Sequence, residues 1–310
     1  MENTFTYGIT GNEAGMTVAE YLKSRGYSSR LVVRLRNTPG SFFVDGTAVF
    51  STCVLKDGNQ LQVRVAEKRS SAAVEPVPMD LDILYEDTHL LVVNKPAGMA
   101  VHPSQGNHGN TLANGLADYF RKKQEAFVFR AVNRLDKDTS GLLLVAKNGL
   151  SSSLLSGQVE RREICREYLA AVCGKTDARN GLRPHRAEGG LASMIRTRTT
   201  EAASTRYERL SNRCRSCSVL RQTHPPDPVH MKYWPPLRGL STTRLPTSAV
   251  ALIVRLSFPH PFTGEVLDFS APLPEDMACL FPGQELPSFS RPGADPDLPT
   301  ASLSPWDNDF

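Results

Sequence analysis

Cysteine is scarce in this sequence, tryptophan scarcer, and no long apolar run interrupts it. Six Cys lie at positions 53, 165, 173, 214, 217 and 279 of 310 residues. They are too few and too scattered for a disulfide framework, which fits a reducing compartment. The longest unbroken apolar run, Ala249 to Val254, is six residues, far short of the roughly 20 that cross a bilayer. No basic, then apolar, then small-residue pattern follows Met1, so the cytoplasm is the expected location. Overall charge is nearly balanced, at 36 Lys+Arg against 32 Asp+Glu.

What remains is the profile of a soluble globular protein. With 310 residues, 40% of them hydrophobic, the chain can bury one large domain plus a small one. Charge is unevenly placed: Thr176 to Val250 carries thirteen Lys+Arg against five acids. That local excess suits a phosphate backbone as partner, although a solvated basic surface is its commoner cause.

Residues 14 to 66 read as a compact unit. Val18, Tyr21 and Leu22 have helical spacing with Gly26 as a stop, and Ser28 or Ser29 caps a second helix over Arg30 to Arg36. Short strands follow at Phe42–Val44, Val49–Phe50 and Leu61–Val65, separated by turns at Asp45-Gly46 and Asp57-Gly58. Glu67 to Asp80, with its Ser run and Pro76 and Pro78, has linker composition. Beyond it, Asp82 to Met99 gives two strands around an acidic turn and ends in Lys95-Pro96-Ala97-Gly98. Thr111 to about Lys123 forms a helix with an apolar stripe, Leu150 to Val159 another, and Arg166 to Gly174 a strand.

The stretch from Asn133 to Lys147 is where the chemistry concentrates. Its polar turn lies between two apolar runs, Phe127 to Val132 and Leu142 to Ala146, and reads as strand, turn, strand. Asp136 then stands at a strand end, two residues from Arg134, where a guanidinium can hold a carboxylate ionised. Two plainer readings compete. One is an ordinary acidic turn with a surface Arg–Asp pair. The other is an EF-hand opening, Asp136-x-Asp138-x-Ser140-Gly141, but that loop needs a bidentate Glu at its twelfth position and Lys147 stands there.

The Arg134-Leu135-Asp136 string followed by Thr139-Ser140-Gly141 and an aliphatic strand resembles the catalytic motif of the RluA-type RNA pseudouridine synthases, with Asn133 where many members carry His. Tyr85-Glu86-Asp87, Asn94-Lys95-Pro96-x-Gly98, Val101-His102-Pro103 and Arg166-x-Tyr168-Leu169 match the family in the same order. Residues 14 to 66 resemble an S4-type RNA-binding domain. The resemblance implies an α+β protein: a small S4-like domain over 1–70, a linker over 71–80, and a catalytic domain over 81–283 built on a mixed, mainly antiparallel sheet flanked by helices. It implies isomerisation of uridine to pseudouridine in structured RNA, with ribosomal RNA favoured and tRNA the alternative. Asp136 would be the catalytic carboxylate, Arg134 its holder, and Tyr168 a stacking or orienting group for the base. Lys23, Arg25, Arg30, Arg34 and Arg36 would line an RNA-facing side. No metal or organic cofactor is implied, because isomerisation within one nucleotide needs positioning and acid–base work. A monomer is expected.

The family's third signature, Thr-Gly-Arg-Thr-His-Gln-Ile-Arg-Val-His, is disturbed. This chain has Thr223-His224 and Val229-His230-Met231, with Gln222 before Thr223 and Pro225, Pro226 and Pro228 between. Each proline lacks a ladder donor, so no central strand is expected through them. Parts of 175–250 are therefore read as out-of-frame coding or divergence, and an inactive RNA-binding relative is the alternative function. Cys214-x-x-Cys217 with His224 and His230 offers a further reading, a zinc site. The proline-rich tail 284–310 is expected to be disordered.

Overall fold

The computed structural model describes residues 2–66, 74–104, 108–173, 206–214, 217–224 and 252–273. The first helix, α1 (Val18–Ser24), opens on a capping box in which Thr17 Oγ1 accepts from the Glu20 N–H and the Glu20 carboxylate accepts from the Thr17 N–H at 2.8 Å. The second, α2 (Ser29–Arg36), starts after the N-cap Ser28 and turns Leu31, Val32 and Leu35 inward. Both pack on a four-stranded antiparallel sheet of β1 (Glu2–Gly8), β2 (Phe42–Val44), β3 (Thr47–Ala48) and β4 (Gln60–Ala66), in the order β1-β4-β2-β3. Period-two burial of Leu61, Val63 and Val65 gives β4 its inner face. Between β2 and β3, Asp45 and Gly46 both take positive φ, 49° and 79°, the pattern of a type I′ hairpin turn.

Two boundaries differ from the sequence reading. The compact unit read over 14–66 gains an edge strand from within the expected 1–70 domain, because β1 pairs along its whole length with β4; only Phe5 and Tyr7 mark that edge strand's inner side, which is little apolar signal. The return strand of the hairpin is Thr47–Ala48, since the two-residue turn sets the register before Val49.

The larger sheet has eight strands: β5 (Asp82–Glu86), β6 (Leu90–Lys95), β7 (Ser140–Ala146), β8 (Cys165–Cys173), β9 (Arg206–Cys214), β10 (Cys217–His224), β11 (Leu252–Pro259) and β12 (Val266–Ser270). Their order is β5-β6-β7-β11-β8-β10-β9, with β12 paired to β11. Among the described strands only β7 and β11 run parallel, so the mixed, mainly antiparallel sheet of the sequence reading is what forms. Helices α3 (Leu112–Lys122) and α4 (Gly149–Glu160) flank it. Every position of β7 is buried, as its unbroken aliphatic run requires.

The expected strand Phe127–Val132 does not form. Only Ala131 bridges β7, at Val145, with Val132 N–H donating to Leu144 O at 2.8 Å and Ala146 N–H to Arg130 O at 2.9 Å. The Asn133 side chain then takes the next rung: Nδ2 donates to Leu142 O at 3.1 Å and Oδ1 accepts from Leu144 N–H at 2.8 Å. A side-chain amide standing in for a peptide unit ends the pairing and frees the backbone to turn away.

The linker reading also needs correction at its end. Glu75 O accepts from Asn114 Nδ2 at 2.7 Å, Val77 N–H donates to Asn114 O, and Met79 fills the space a side chain at Gly115 would occupy. Residues 74–80 are thus docked along α3.

Helix α4 ties the two units together. Leu150 belongs to the N-terminal core and Leu155 to the core under the large sheet. Ser153 Oγ accepts from Ser28 N–H and donates to Gly26 O, both at 2.7 Å. A second contact is a ring stack, Phe5 on Phe262 at 5.5 Å and Phe262 on His89 at 3.9 Å. Beneath it, Asp87 caps the β5–β6 turn through the His89 and Leu90 amides and faces His260 Nε2 at 2.9 Å. His260 Nδ1 accepts the Thr263 N–H at 3.1 Å, so Nε2 carries the proton and donates to Asp87.

Candidate active site

Arg134, Leu135 and Asp136 lie outside any helix or strand, and their exposure alternates: Leu135 is buried in the core while both charged neighbours are exposed, so the buried leucine anchors a segment whose two charged residues reach solvent. Among the described residues no ion pair joins them, so the holding contact expected for Arg134 is not made. The chain then turns, with Thr139 N–H donating to Asp136 O at 3.2 Å, and enters β7 at Ser140.

Gly141 makes that entry possible. Its φ is 106°, a region that side chains strain to adopt, and it lies in register with both Lys95 and Ile253. Gly141→Ala is expected to destabilise by about 1–3 kcal/mol, lowering Tm by roughly 2–10 °C in a chain of this size. An unchanged calorimetric Tm would show that the backbone relaxes there freely.

Lys95 is the support beneath the loop. Fully buried at the end of β6, its Nζ donates to three carbonyls: Pro96 O at 2.8 Å, Met99 O at 2.7 Å and Lys137 O at 3.1 Å. It therefore ties the turn after Asp136 to the Pro96–Met99 turn, where Gly98 has φ 78°. Burial pushes Lys95 down to about 8, and the carboxylates of Asp138 and Asp136 oppose that shift. In the sequence Lys95 stands in the Asn94-Lys95-Pro96-x-Gly98 match with no role of its own read for it; that string next to an acidic loop is the signal that points to it. Asn133 was read only as a variant position, and its backbone-like role has no sequence signature.

Flanking the loop, His102 sits edge-on to Phe129 at 4.8 Å. Partial burial of its ring, and then the Arg134 guanidinium, hold His102 below the usual histidine range. Strand register places Tyr168 in the same cross-strand row. Lys95 pairs with Gly141, Gly141 with Ile253, Ile253 with Tyr168, and Tyr168 with Gln222. Two strand spacings of about 4.8 Å therefore separate the Tyr168 backbone from the start of β7. The surviving Thr223-His224 of the third signature ends β10, and residues 225–251 lie outside the described residues.

The candidate RNA-contacting cations are divided. Arg25 pairs with Glu13 at 2.6 Å and lies over the Tyr21 ring, so it is engaged inside its own domain. Arg30 and Arg34 are one turn apart on α2 and face α4, while Lys23 and Arg36 are exposed elsewhere on the two helices. The residues of the zinc reading are spread along the β9–β10 hairpin. Cys214 and Cys217 pair at the β9–β10 turn, whereas His224 closes the other end of β10, roughly 23 Å away at about 3.3 Å per residue; His230 lies outside the described residues. Lys147, at the twelfth position of the calcium-loop reading, pairs with Glu86 at 2.7 Å.

The family model described as RNA pseudouridylate synthase matches residues 89–233, a span that contains the Asp136 loop, Tyr168 and β10. The chain is 34% identical over 285 residues to an uncharacterized RNA pseudouridine synthase, YjbO, of Bacillus subtilis, covering 87% of this chain and 99% of that one. It is 33% identical over 325 residues to ribosomal large subunit pseudouridine synthase D of Nitrosomonas europaea, covering 94% and 92%. A solved structure titled human RNA pseudouridylate synthase domain containing 4 aligns over 64% of this chain and 90% of its own, with 21% identity and a TM-score of 0.46. The chain belongs to the RluA-type RNA pseudouridine synthases, and the reaction of that family is the isomerisation of uridine to pseudouridine in RNA. Among the described residues no helix is long and apolar enough to cross a membrane.

Proposed function

We propose that this protein converts uridine to pseudouridine in large-subunit ribosomal RNA, with Asp136 as the carboxylate that acts on the flipped nucleotide. The observation that carries the reading is the fixed presentation of Asp136: Leu135 is buried behind it, and Lys95 holds the next carbonyl in the turn. In the reaction the bond from N1 of the base to C1′ of the ribose breaks, the base turns, and a bond forms from C5 to C1′. The hydrogen on C5 leaves to solvent as a proton, and N1 takes up a proton in its place. Asp136 serves as nucleophile or base in that sequence, Arg134 beside it fills the space the base vacates, and Tyr168 orients the uracil. Flipping is the step that brings a paired uridine to such a loop. The N-terminal unit, two helices on a four-stranded sheet with a Val44-Asp45-Gly46 hairpin, acts as an S4-type RNA-binding domain. The ribosomal target is supported by the name of the Nitrosomonas relative. Incubating the protein with in vitro transcribed large-subunit rRNA containing 5-tritiated uridine should release tritium at a small number of sites. No release from this RNA, alongside release from transcribed tRNA, would overturn the ribosomal assignment.

A further inference from the structure

Strand β7 changes neighbours part-way along its length. Toward its end, Ala131 bridges Val145, and backbone bonds run from Val132 N–H to Leu144 O and from Ala146 N–H to Arg130 O. At its start, Ser140 and Gly141 pair instead with Leu252 and Ile253 of β11. Between these partners lie Leu142 O and Leu144 N–H, and the Asn133 side chain takes both, at 3.1 and 2.8 Å. Those two groups dictate how the amide is turned. A carbonyl only accepts and an amide N–H only donates, so Nδ2 must face Leu142 and Oδ1 must face Leu144. Asn133 is 5% exposed, and without its amide each group would lose this partner inside a fully buried strand.

Beyond this fork the chain is pinned at alternate residues. Asn133 is bonded to β7, Leu135 is buried in the core, and the Lys137 carbonyl accepts from Lys95 at 3.1 Å. Arg134 and Asp136 stand between those points and reach solvent. We propose that the Asn133 amide is a positioning residue for the reaction: by filling both rungs at the fork it fixes where the chain leaves β7, and so where the Asp136 carboxylate stands. This role rests on the assignment of Asp136 above and adds what sets its place. Lys95 holds the loop on the far side of Asp136, and Asn133 holds it on the near side. A slip of one residue along β7 would move the exit by about 3.3 Å, well beyond the misplacement of about 1 Å that costs about 100-fold in rate.

The test uses the full chain, transcribed large-subunit rRNA carrying 5-tritiated uridine, and two substitutions of nearly the same shape. Asn133→Leu removes both hydrogen bonds. It should lower kcat about 100-fold while KM and RNA affinity stay within about threefold of the parent. Asn133→Asp keeps an acceptor for Leu144 N–H but turns its second oxygen on Leu142 O, and the two repel while the acid is ionised. Once protonated, that oxygen donates to Leu142 O and reproduces the amide. Burial and the facing carbonyl both favour the protonated form, raising this acid above the roughly 3.9 of a free aspartate. Relative to the parent at each pH, kcat of Asn133→Asp should be about 100-fold down at pH 8 and recover at least about tenfold by pH 5.5, while the ratio for Asn133→Leu stays flat. Trypsin reads the loop without any reaction: at pH 8 the folded variants should be cut after the exposed Arg134 and Lys137 about tenfold faster than the parent, as a local opening allows. If Asn133→Leu does not fold, the pH recovery of Asn133→Asp decides alone. A kcat within threefold of the parent in folded Asn133→Leu, or an Asn133→Asp deficit that does not narrow as pH falls, would overturn the proposal. A parent that releases no tritium, with faster cutting in the variants, defeats the catalytic reading and leaves the fork standing. Release by the parent, with variants cut and turning over at the parent's rate, does the reverse.

Discussion

Asp136→Ala abolishes tritium release from 5-tritiated uridine RNA, with turnover at least about 1,000-fold lower, while RNA affinity changes by less than about threefold. The size follows from what a positioned carboxylate contributes to bond cleavage and proton transfer together. The small binding effect follows from geometry: Asp136 is one exposed acid, and removing a negative charge from an RNA-facing loop does not weaken phosphate contacts. Asp138→Ala, two residues along the same exposed turn, should retain most activity. Equal losses in the two variants would move the chemistry from Asp136 to the loop's charge as a whole, and full activity in Asp136→Ala would sink the assignment.

Lys95→Met is the second large effect. Methionine keeps the length of the side chain but donates nothing, leaving the carbonyls of Pro96, Met99 and Lys137 without their buried partner. Each orphaned acceptor costs about 1–3 kcal/mol, partly offset because a buried ammonium is no longer desolvated. A net loss of about 2–4 kcal/mol is expected. With the turn after Asp136 untied, kcat should fall about 100-fold or more, since a misplacement of about 1 Å is enough for that, and KM should move little.

The pH behaviour separates this role from plain packing. Lys95 titrates near 8 in the folded protein and near 10.5 when unfolded. Between those values the unfolded chain binds more protons, so this group's contribution to stability rises with pH across that window. Below about 8 both states are protonated and the penalty of burying the charge is constant. Activity should go the other way, because a neutral amine has two donors for three carbonyls. The parent kcat should therefore decline above pH 8 while resistance to urea improves between about 8 and 10.5, and Lys95→Met should lack both trends. A variant profile that overlays the parent's would refute the role.

Much of this arrangement could be read from the residues, for identifiable reasons. Strands β6 and β7 are buried on both faces, so their apolar runs announce them without regard to neighbours. Helices α1, α2 and α3 carry their caps in sequence, at Thr17, Ser28 and Thr111. The failures share a cause, which is that a side chain or a distant element decides the outcome. Phe127–Val132 has strand composition, but the Asn133 amide occupies the rung that would have continued it. Residues 74–80 have linker composition, but Asn114 and Gly115 give them a surface to bind. Lys95 looks like any charged strand end until three carbonyls from two turns converge on it. Arg25 counts as a surface cation in sequence, while Glu13 and Tyr21 claim it in the fold.

Helix α4 has apolar residues on two sides, Leu150 and Leu154 toward the N-terminal core and Leu155 and Val159 toward the larger one. It works as a party wall between two rooms: neither can be taken down without stripping one side of the wall. Loss of the N-terminal room would leave two leucines in water on a helix that still has to stand, and loss of the other would do the same in reverse. The two units are therefore expected to melt together, in one calorimetric transition.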